Sequence, residues 1–206
     1  MHLLRASTLG ESLLIQALNS NDLRKFKELL VKVKPGIDSK EKLLSRAARM
    51  GNVEAAKILV RAGASYRWEL LRASEVGDIE AVRTLIAAGA NVNISCAPDR
   101  DSPLFHASNA GHVEIVSALI NAGVDLNKTN WCGDTSLIIA SVAGDLELVK
   151  LLYYSGADIN CVNHCGATAL DRACFYAPHS YYCLQVMNFL SSKGAKRTSY
   201  TGLSEF

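Results

Sequence analysis

Gly111-His-Val-Glu-Ile-Val-Ser-Ala-Leu-Ile-Asn-Ala-Gly123 is one of four versions of a single phrase. The others are Gly51-Asn-Val-Glu-Ala-Ala-Lys-Ile-Leu-Val-Arg-Ala-Gly63, Gly77-Asp-Ile-Glu-Ala-Val-Arg-Thr-Leu-Ile-Ala-Ala-Gly89 and Gly144-Asp-Leu-Glu-Leu-Val-Lys-Leu-Leu-Tyr-Tyr-Ser-Gly156. Self-similarity at a fixed period implies a stacked array whose core is a ribbon shared by neighbouring units. Such an array makes a long one-sided surface and rarely an enclosed pocket, so the expectation is a binding protein.

Counted from each leading glycine, apolar residues fall at +2, +5, +8 and +9: Val53, Ala56, Leu59, Val60; Ile79, Val82, Leu85, Ile86; Val113, Val116, Leu119, Ile120; Leu146, Val149, Leu152, Tyr153. Steps of three and four mark one face of a helix. The closing Gly63, Gly89, Gly123 and Gly156 suit the left-handed residue that ends a helix. Asp78 and Asp145 suit N-caps, with Glu80 and Glu147 in the first turn. Before each leading glycine lies a second, shorter apolar segment centred on a small residue: Leu43 to Ala47, Leu70 to Ala73, Leu104 to Ala107 and Leu137 to Ala140. Two fainter copies flank these. Residues 13–30 place Asn21 in the glycine slot, with Leu23, Phe26, Leu29 and Leu30 as core. Residues 170–194 carry Leu184, Met187 and Leu190, after extra residues around Ala177-Pro178-His179-Ser180. Six helix pairs are expected.

The chain resembles the ankyrin-repeat family, whose period is about 33 residues and whose first helix opens with Thr-Pro-Leu-His. From Gly77 to Gly111 is 34 residues and from Gly111 to Gly144 is 33. The matching openings are Ser102-Pro103-Leu104-Phe105, Thr135-Ser136-Leu137-Ile138 and Thr168-Ala169-Leu170-Asp171, and the loop starts are Gly89 to Asn93, Gly123 to Asn127 and Gly156 to Asn160. The resemblance implies an all-α ankyrin-repeat solenoid of stacked helix pairs, a single domain over 1–206. Its repeats lie near 10–38, 40–64, 67–90, 91–124, 125–157 and 158–196, with a tail at 197–206. No opening keeps the family's histidine, so its inter-repeat hydrogen bond is absent or replaced. Only 26 residues separate Gly51 from Gly77, which leaves no room for a projecting loop. Full hairpin-type loops are expected at 91–101, 125–134 and 158–167, in the C-terminal half.

The family resemblance implies that loop tips and the exposed face of the first helix form a concave binding surface. With the alanine facing the core, helix geometry turns these residues outward: Gln16, Asn19, Ser20; Arg46, Arg49, Met50; Arg72, Glu75, Val76; His106, Asn109, Ala110; Ile139, Val142, Ala143; Arg172, Phe175, Tyr176. The loop tips present Cys96, Pro98, Asp99, Asp101, then Trp131, Cys132, Asp134, then His164 and Cys165. Trp131 has little core to enter, and with Phe175 and Tyr176 it is a candidate interface patch; the competing expectation is local packing over a neighbouring loop. Arg46, Arg49 and Arg72 suggest a clamp for carboxylate or phosphate, against the alternative of a solvated helix face.

The formal charge of +2 conceals a strong asymmetry: 14 Lys and Arg against 7 Asp and Glu over residues 1–72, 5 against 12 over 73–190, and 3 against 1 beyond. That asymmetry would orient a charged partner. Cys161, His164, Cys165 and Cys132 invite a zinc reading. Equivalent positions in neighbouring repeats lie on the order of 10 Å apart, however, which disfavours one ion with ligands about 2.1–2.3 Å away. His112 and His179 show no partner signal. The six cysteines are irregular and no signal segment opens the chain, so free thiols in a reducing compartment are expected.

No nucleophile with its base, phosphate-cradling loop or paired carboxylates appears, so neither catalysis nor a cofactor is expected. The expected activity is non-catalytic binding of a protein partner, to recruit, mask or inhibit it. With only about ten residues after Gly194, masking or membership of a larger assembly fits better than adaptor duty. Nucleic acid or anionic lipid at the basic N-terminal half is the alternative, disfavoured by the lack of interleaved aromatics. The resemblance further implies a monomer of cytoplasm or nucleus, or of a host cytosol if bacterial. Residues 119–127 and 152–160 resemble the loop-asparagine context hydroxylated in some animal ankyrin proteins.

Overall fold

The computed structural model describes residues 2–96 and 99–198, with the side chains of 2–8 and 179 outside the description. Among these residues lie twelve α-helices in six consecutive pairs: α1 (His2–Asn19) with α2 (Leu23–Val33), α3 (Ile37–Arg49) with α4 (Val53–Arg61), α5 (Arg67–Val76) with α6 (Ile79–Ala87), α7 (Pro103–Asn109) with α8 (Val113–Asn121), α9 (Ser136–Ala143) with α10 (Leu146–Tyr154), and α11 (Ala169–Tyr176) with α12 (Tyr181–Ser192). The fold is an all-α repeat solenoid, as the periodicity predicts. Backbone contacts group it into two compact units, Met1–Ala73 with Asp78–Asn91 and Ser74–Gly77 with Val92 onward. In unit 1, α1 packs on α2 and α3, while α6 packs on α3 and α4. In unit 2, α7, α9 and α11 follow one another with α8, α10 and α12 behind.

The core follows the repeat. The first-helix alanines Ala17, Ala47, Ala73, Ala107, Ala140 and Ala173 are all buried, letting the backbones approach. In the second helices the +5 and +8 residues are buried (Val82 and Leu85; Val116 and Leu119), whereas +2 and +9 are half-covered. The +4 residues Ala55, Ala81, Ile115 and Leu148 are fully buried too. The covered face is therefore wider than the four predicted positions. At the start of unit 1 only Phe26 of α2 is fully buried. Leu23, Leu29 and Leu30 are half-covered, since α2 packs on α1 and α4 alone. Helix α1 also begins at His2, earlier than the boundary expected near residue 10. First helices α3 and α5, of 13 and 10 residues, are not shorter than their 9-residue partners α4 and α6, contrary to the sequence reading.

The sixth repeat corrects a register. Residues Ala177–His179 form a 3-10 turn, and Ser180 then caps α12 by accepting from the Cys183 amide (3.3 Å). Cys183, Val186 and Leu190 consequently face the core, while Leu184 is exposed and Met187 half-covered. Asn21 has φ +54°, which confirms it as the left-handed stand-in for glycine. Asp22, Asn52, Asp78 and Asp145 cap α2, α4, α6 and α10 by accepting backbone N–H groups at 2.9–3.1 Å.

The connection from α4 to α5 is short, spanning 62–66, while full loops precede α7, α9 and α11. Neighbouring loops hold one another through asparagines. Asn93 Oδ1 accepts from the Asp125 amide (2.7 Å), Asn127 Oδ1 from Asp158 (2.8 Å) and Asn160 Oδ1 from Lys196 (2.9 Å). Backbone bonds add to these, from Trp131 N to Asp99 O (3.0 Å) and from His164 N to Cys132 O (2.9 Å). Asn130 and Asn163 are buried and each accepts two amides of its own loop, at 2.9–3.1 Å.

Candidate functional site

The residues predicted to point away from the alanine seam are all exposed or half-exposed, so the outward stripe exists on every first helix. On α3, Lys42, Arg46 and Arg49 form one helical ridge at i, i+4 and i+7. Arg46 Nε donates to Asn19 Oδ1 (2.7 Å); Arg49 donates to the carbonyl and hydroxyl of Ser45 (3.4 and 3.1 Å). Among the described residues none of the three is in an ion pair. Arg72, expected to join Arg46 and Arg49, is instead held by Glu69 (2.5 Å), with Asp78 at 4.0 Å. The Glu69 carboxylate raises the Arg72 guanidinium pKa against the opposing effect of burial. Its charge is neutralised locally, and Lys42 takes the third place in the cluster.

Two grooves flank the α3 ridge inside unit 1. The one beside α1, of about 400 Å³, is lined by Glu11, Ile15, Ser39, Lys42, Leu43, Arg46, Arg49 and Met50. The one beside α5, of about 350 Å³, includes Asp38, Glu41, Lys42, Arg49, Trp68 and Glu69. Trp68 is 72% exposed and did not figure in the sequence reading. Its slot is that of Ser102, Thr135 and Thr168, which are buried helix caps in the loop-bearing repeats. Without a loop in front of α5, the slot opens to solvent; a tryptophan where its equivalents are caps was the available signal.

In unit 2, Trp131 stands 61% exposed on its loop and makes no ring contact among the described residues. It does not fold down as local packing, nor does it touch Phe175 and Tyr176. Those two pack edge to face (5.0 Å), and Arg172 lies over the Tyr176 ring (5.8 Å). Asp99 and Asn109 are exposed, His106 is half-covered, and Pro98 lies outside the described residues. Asp134 accepts from Asn163 Nδ2 (2.8 Å), so it serves the loop stack. Burial pushes the Asp101 carboxyl above its ordinary pKa, with His106 opposing, and its Oδ1 is buried without a hydrogen bond. His164 is exposed and its ring packs beside Gly133.

His112, which carried no partner signal, places Nε2 3.0 Å from the Glu75 carbonyl and covers Gly77, where an added Cβ would lie 2.8 Å from the ring. The family's histidine slot in the sixth repeat holds Asp171, which is buried. Its carboxylate accepts from the amides of Thr168 (3.0 Å) and Thr198 (3.1 Å), the Thr198 hydroxyl (2.9 Å) and Arg197 Nε (3.3 Å). Burial would raise its pKa, but the hydrogen bonds from Thr168 and Thr198 outweigh that and hold it below the ordinary value. The missing bond is thus replaced at this position, while Phe105 and Ile138 fill the slot with apolar atoms.

The six cysteines are free thiols, and burial raises the Cys161 and Cys174 thiol pKa values. Among the described residues no group of three or more His, Cys, Asp or Glu is placed to hold a metal, and no helix is long and apolar enough to cross a membrane. Asn127 and Asn160, the candidate modified residues, have their side-chain oxygens committed to the next loop.

No curated protein sequence matches the chain. A family model described as ankyrin repeats (3 copies) matches residues 70–163, and one described as ankyrin repeats (many copies) matches 137–190. With paired helices, left-handed leading and closing glycines and asparagine-linked loops already in view, the match over 70–190 places this chain in the ankyrin-repeat family, whose members are generally protein-protein interaction modules.

Proposed function

We propose that this chain is a non-catalytic interaction module that holds a partner protein on the outward stripe of its first helices and on its loop tips, and so recruits, masks or inhibits that partner. The observation that carries this reading is the exposure of both tryptophans, Trp68 and Trp131, which lack a core to enter. Tryptophan, tyrosine and arginine supply most interface hot spots. The stripe and tips then contribute Arg46, Arg49, Arg72, His106, Asn109, Arg172, Phe175 and Tyr176, together with Asp99, Asp101, Trp131, Asp134 and His164. The free cysteines suit a reducing compartment such as cytoplasm or nucleus. Affinity capture followed by titration tests the surface: Trp131→Ala and Tyr176→Ala should each weaken the captured partner by about tenfold or more. Unchanged affinity for both would mean that another surface binds.

The excess of cations over residues 1–72, with Lys42, Arg46 and Arg49 in no ion pair among the described residues, favours one second reading, the binding of nucleic acid or anionic lipid. Salt-sensitive binding to random duplex or anionic vesicles, lost on alanine substitution of these residues, would support it.

A further inference from the structure

We infer that the trough between α1 and α3 seats an acidic segment of the partner protein that carries one bulky apolar side chain. This rests on the interaction-module reading and gives its N-terminal half a specific ligand chemistry. The floor is apolar, built from Ile15 of α1 and Leu43 and Met50 of α3, and its volume of about 400 Å³ lies in the range of ligand-holding clefts. Along one wall run Lys42, Arg46 and Arg49. Three other cations of unit 1 do have carboxylates: Arg24 lies 3.6 Å from Glu28, Lys57 2.8 Å from Glu54 and Arg72 2.5 Å from Glu69.

The three trough cations repel one another across successive steps of four and three residues. Asn19 and Ser45 orient the two guanidinium groups with neutral oxygens, and among the described residues neither is in an ion pair. The one carboxylate in the lining, Glu11, is engaged by the Ser39 hydroxyl. Carboxylates of a partner would relieve the repulsion through bidentate bonds, while an apolar side chain would cover Ile15 and Met50, methionine adapting to its shape. A nucleic acid would leave that floor idle. The trough has no aromatic ring for base stacking, and across the ridge Trp68 shares its groove with Asp38, Glu41 and Glu69, which repel phosphate.

The test is selection of short random peptides on the purified full chain, followed by fluorescence anisotropy of the winners. Enrichment of Asp and Glu around a Leu, Phe or Trp is expected, with affinity falling about tenfold in Arg46→Glu and in Arg49→Glu. Ile15→Asp, on an exposed position, should weaken the same peptides, whereas Arg61→Glu on α4 should not. Circular dichroism melting verifies that each variant is folded. Winners that lack acids, or acidic winners indifferent to Arg46→Glu and Ile15→Asp, overturn the proposal. If Trp131→Ala alone abolishes their binding, the trough fails while the interaction-module reading stands. A selection with no winners at any face counts against both. Duplex DNA bound with steep salt dependence and lost in Arg46→Glu, while the peptides are unaffected, replaces the acidic segment by a polyanion.

Discussion

The two units write the same helix pair under different conditions. Unit 1 joins α4 to α5 through 62–66 and has no loop there, whereas unit 2 sets a full loop before each first helix. Where the loop is missing, the cap slot becomes an exposed Trp68, and the stripe cation behind it, Arg72, pairs with Glu69. Where loops are present they are stitched together by Asn93, Asn127 and Asn160 and tipped by acids and Trp131. The comparison teaches that the helix seam alone holds a repeat, and that the loops form a second, hydrogen-bonded layer added on top of it.

The strongest way to break that comparison is to attack the seam in both units. Leu59→Ala in α4 and Leu119→Ala in α8 remove equivalent, fully buried side chains. Each should cost about 2–5 kcal/mol in urea unfolding; a loss confined to one unit would show that the seams are not equivalent. Glycine substitutions sharpen it next. Gly63→Ala at φ +87° meets open space and should cost only the left-handed strain, about 1–2 kcal/mol. Gly144→Ala at φ +72° also drives a Cβ to 2.8 Å from Tyr182 Cβ and should cost roughly twice that in thermal unfolding.

The loop layer is tested by Asn163→Ala, which strands the amides of Cys165 and Ala167, the latter buried, and should cost about 1–3 kcal/mol. Amide hydrogen exchange should speed up in residues 158–167 and leave α3 and α4 unchanged. Asp171→Asn tests its C-terminal anchor. Because the folded pKa lies below the ordinary value, ionised Asp171 stabilises fully above about pH 3.9, and that contribution fades as pH falls through the lowered value. The variant should lose stability at neutral pH and show a shallower acid limb. The smallest effect is expected from Asp101→Asn. Burial disfavours the charge there, so removing it should stabilise the chain at neutral pH by less than about 1 kcal/mol in calorimetry.

Most of the fold was legible because its signals are local. Glycines that end helices, acids that cap them and alanines that let helices approach each act within a few residues. Asn21 could be placed in a glycine slot without any glycine. What escaped depends on neighbours. The register of α12 turned on a 3-10 turn at 177–179, and the burial of Ala55 and Ala81 on which helices flank them. The outward stripe was readable from helix geometry, but its charge state was not. Arg72 lost its place to Lys42 because Glu69 sits three residues back on the same helix, a pairing that the stripe alone does not reveal. The exposure of Trp68 required knowing that the missing loop would otherwise cover its slot.

The asparagine at each loop start has a consequence for length. Asn127 meets the Asp158 amide 31 residues on, and Asn160 meets Lys196 after 36, the difference absorbed by the turn before α12. Every such contact joins one repeat to the next by the same donor and acceptor, a backbone amide and an asparagine oxygen. A duplicated copy of residues 125–157 spliced in behind the original would therefore supply its own asparagine below and its own waiting amide above, and the chain could grow by whole units without redesigning a single junction.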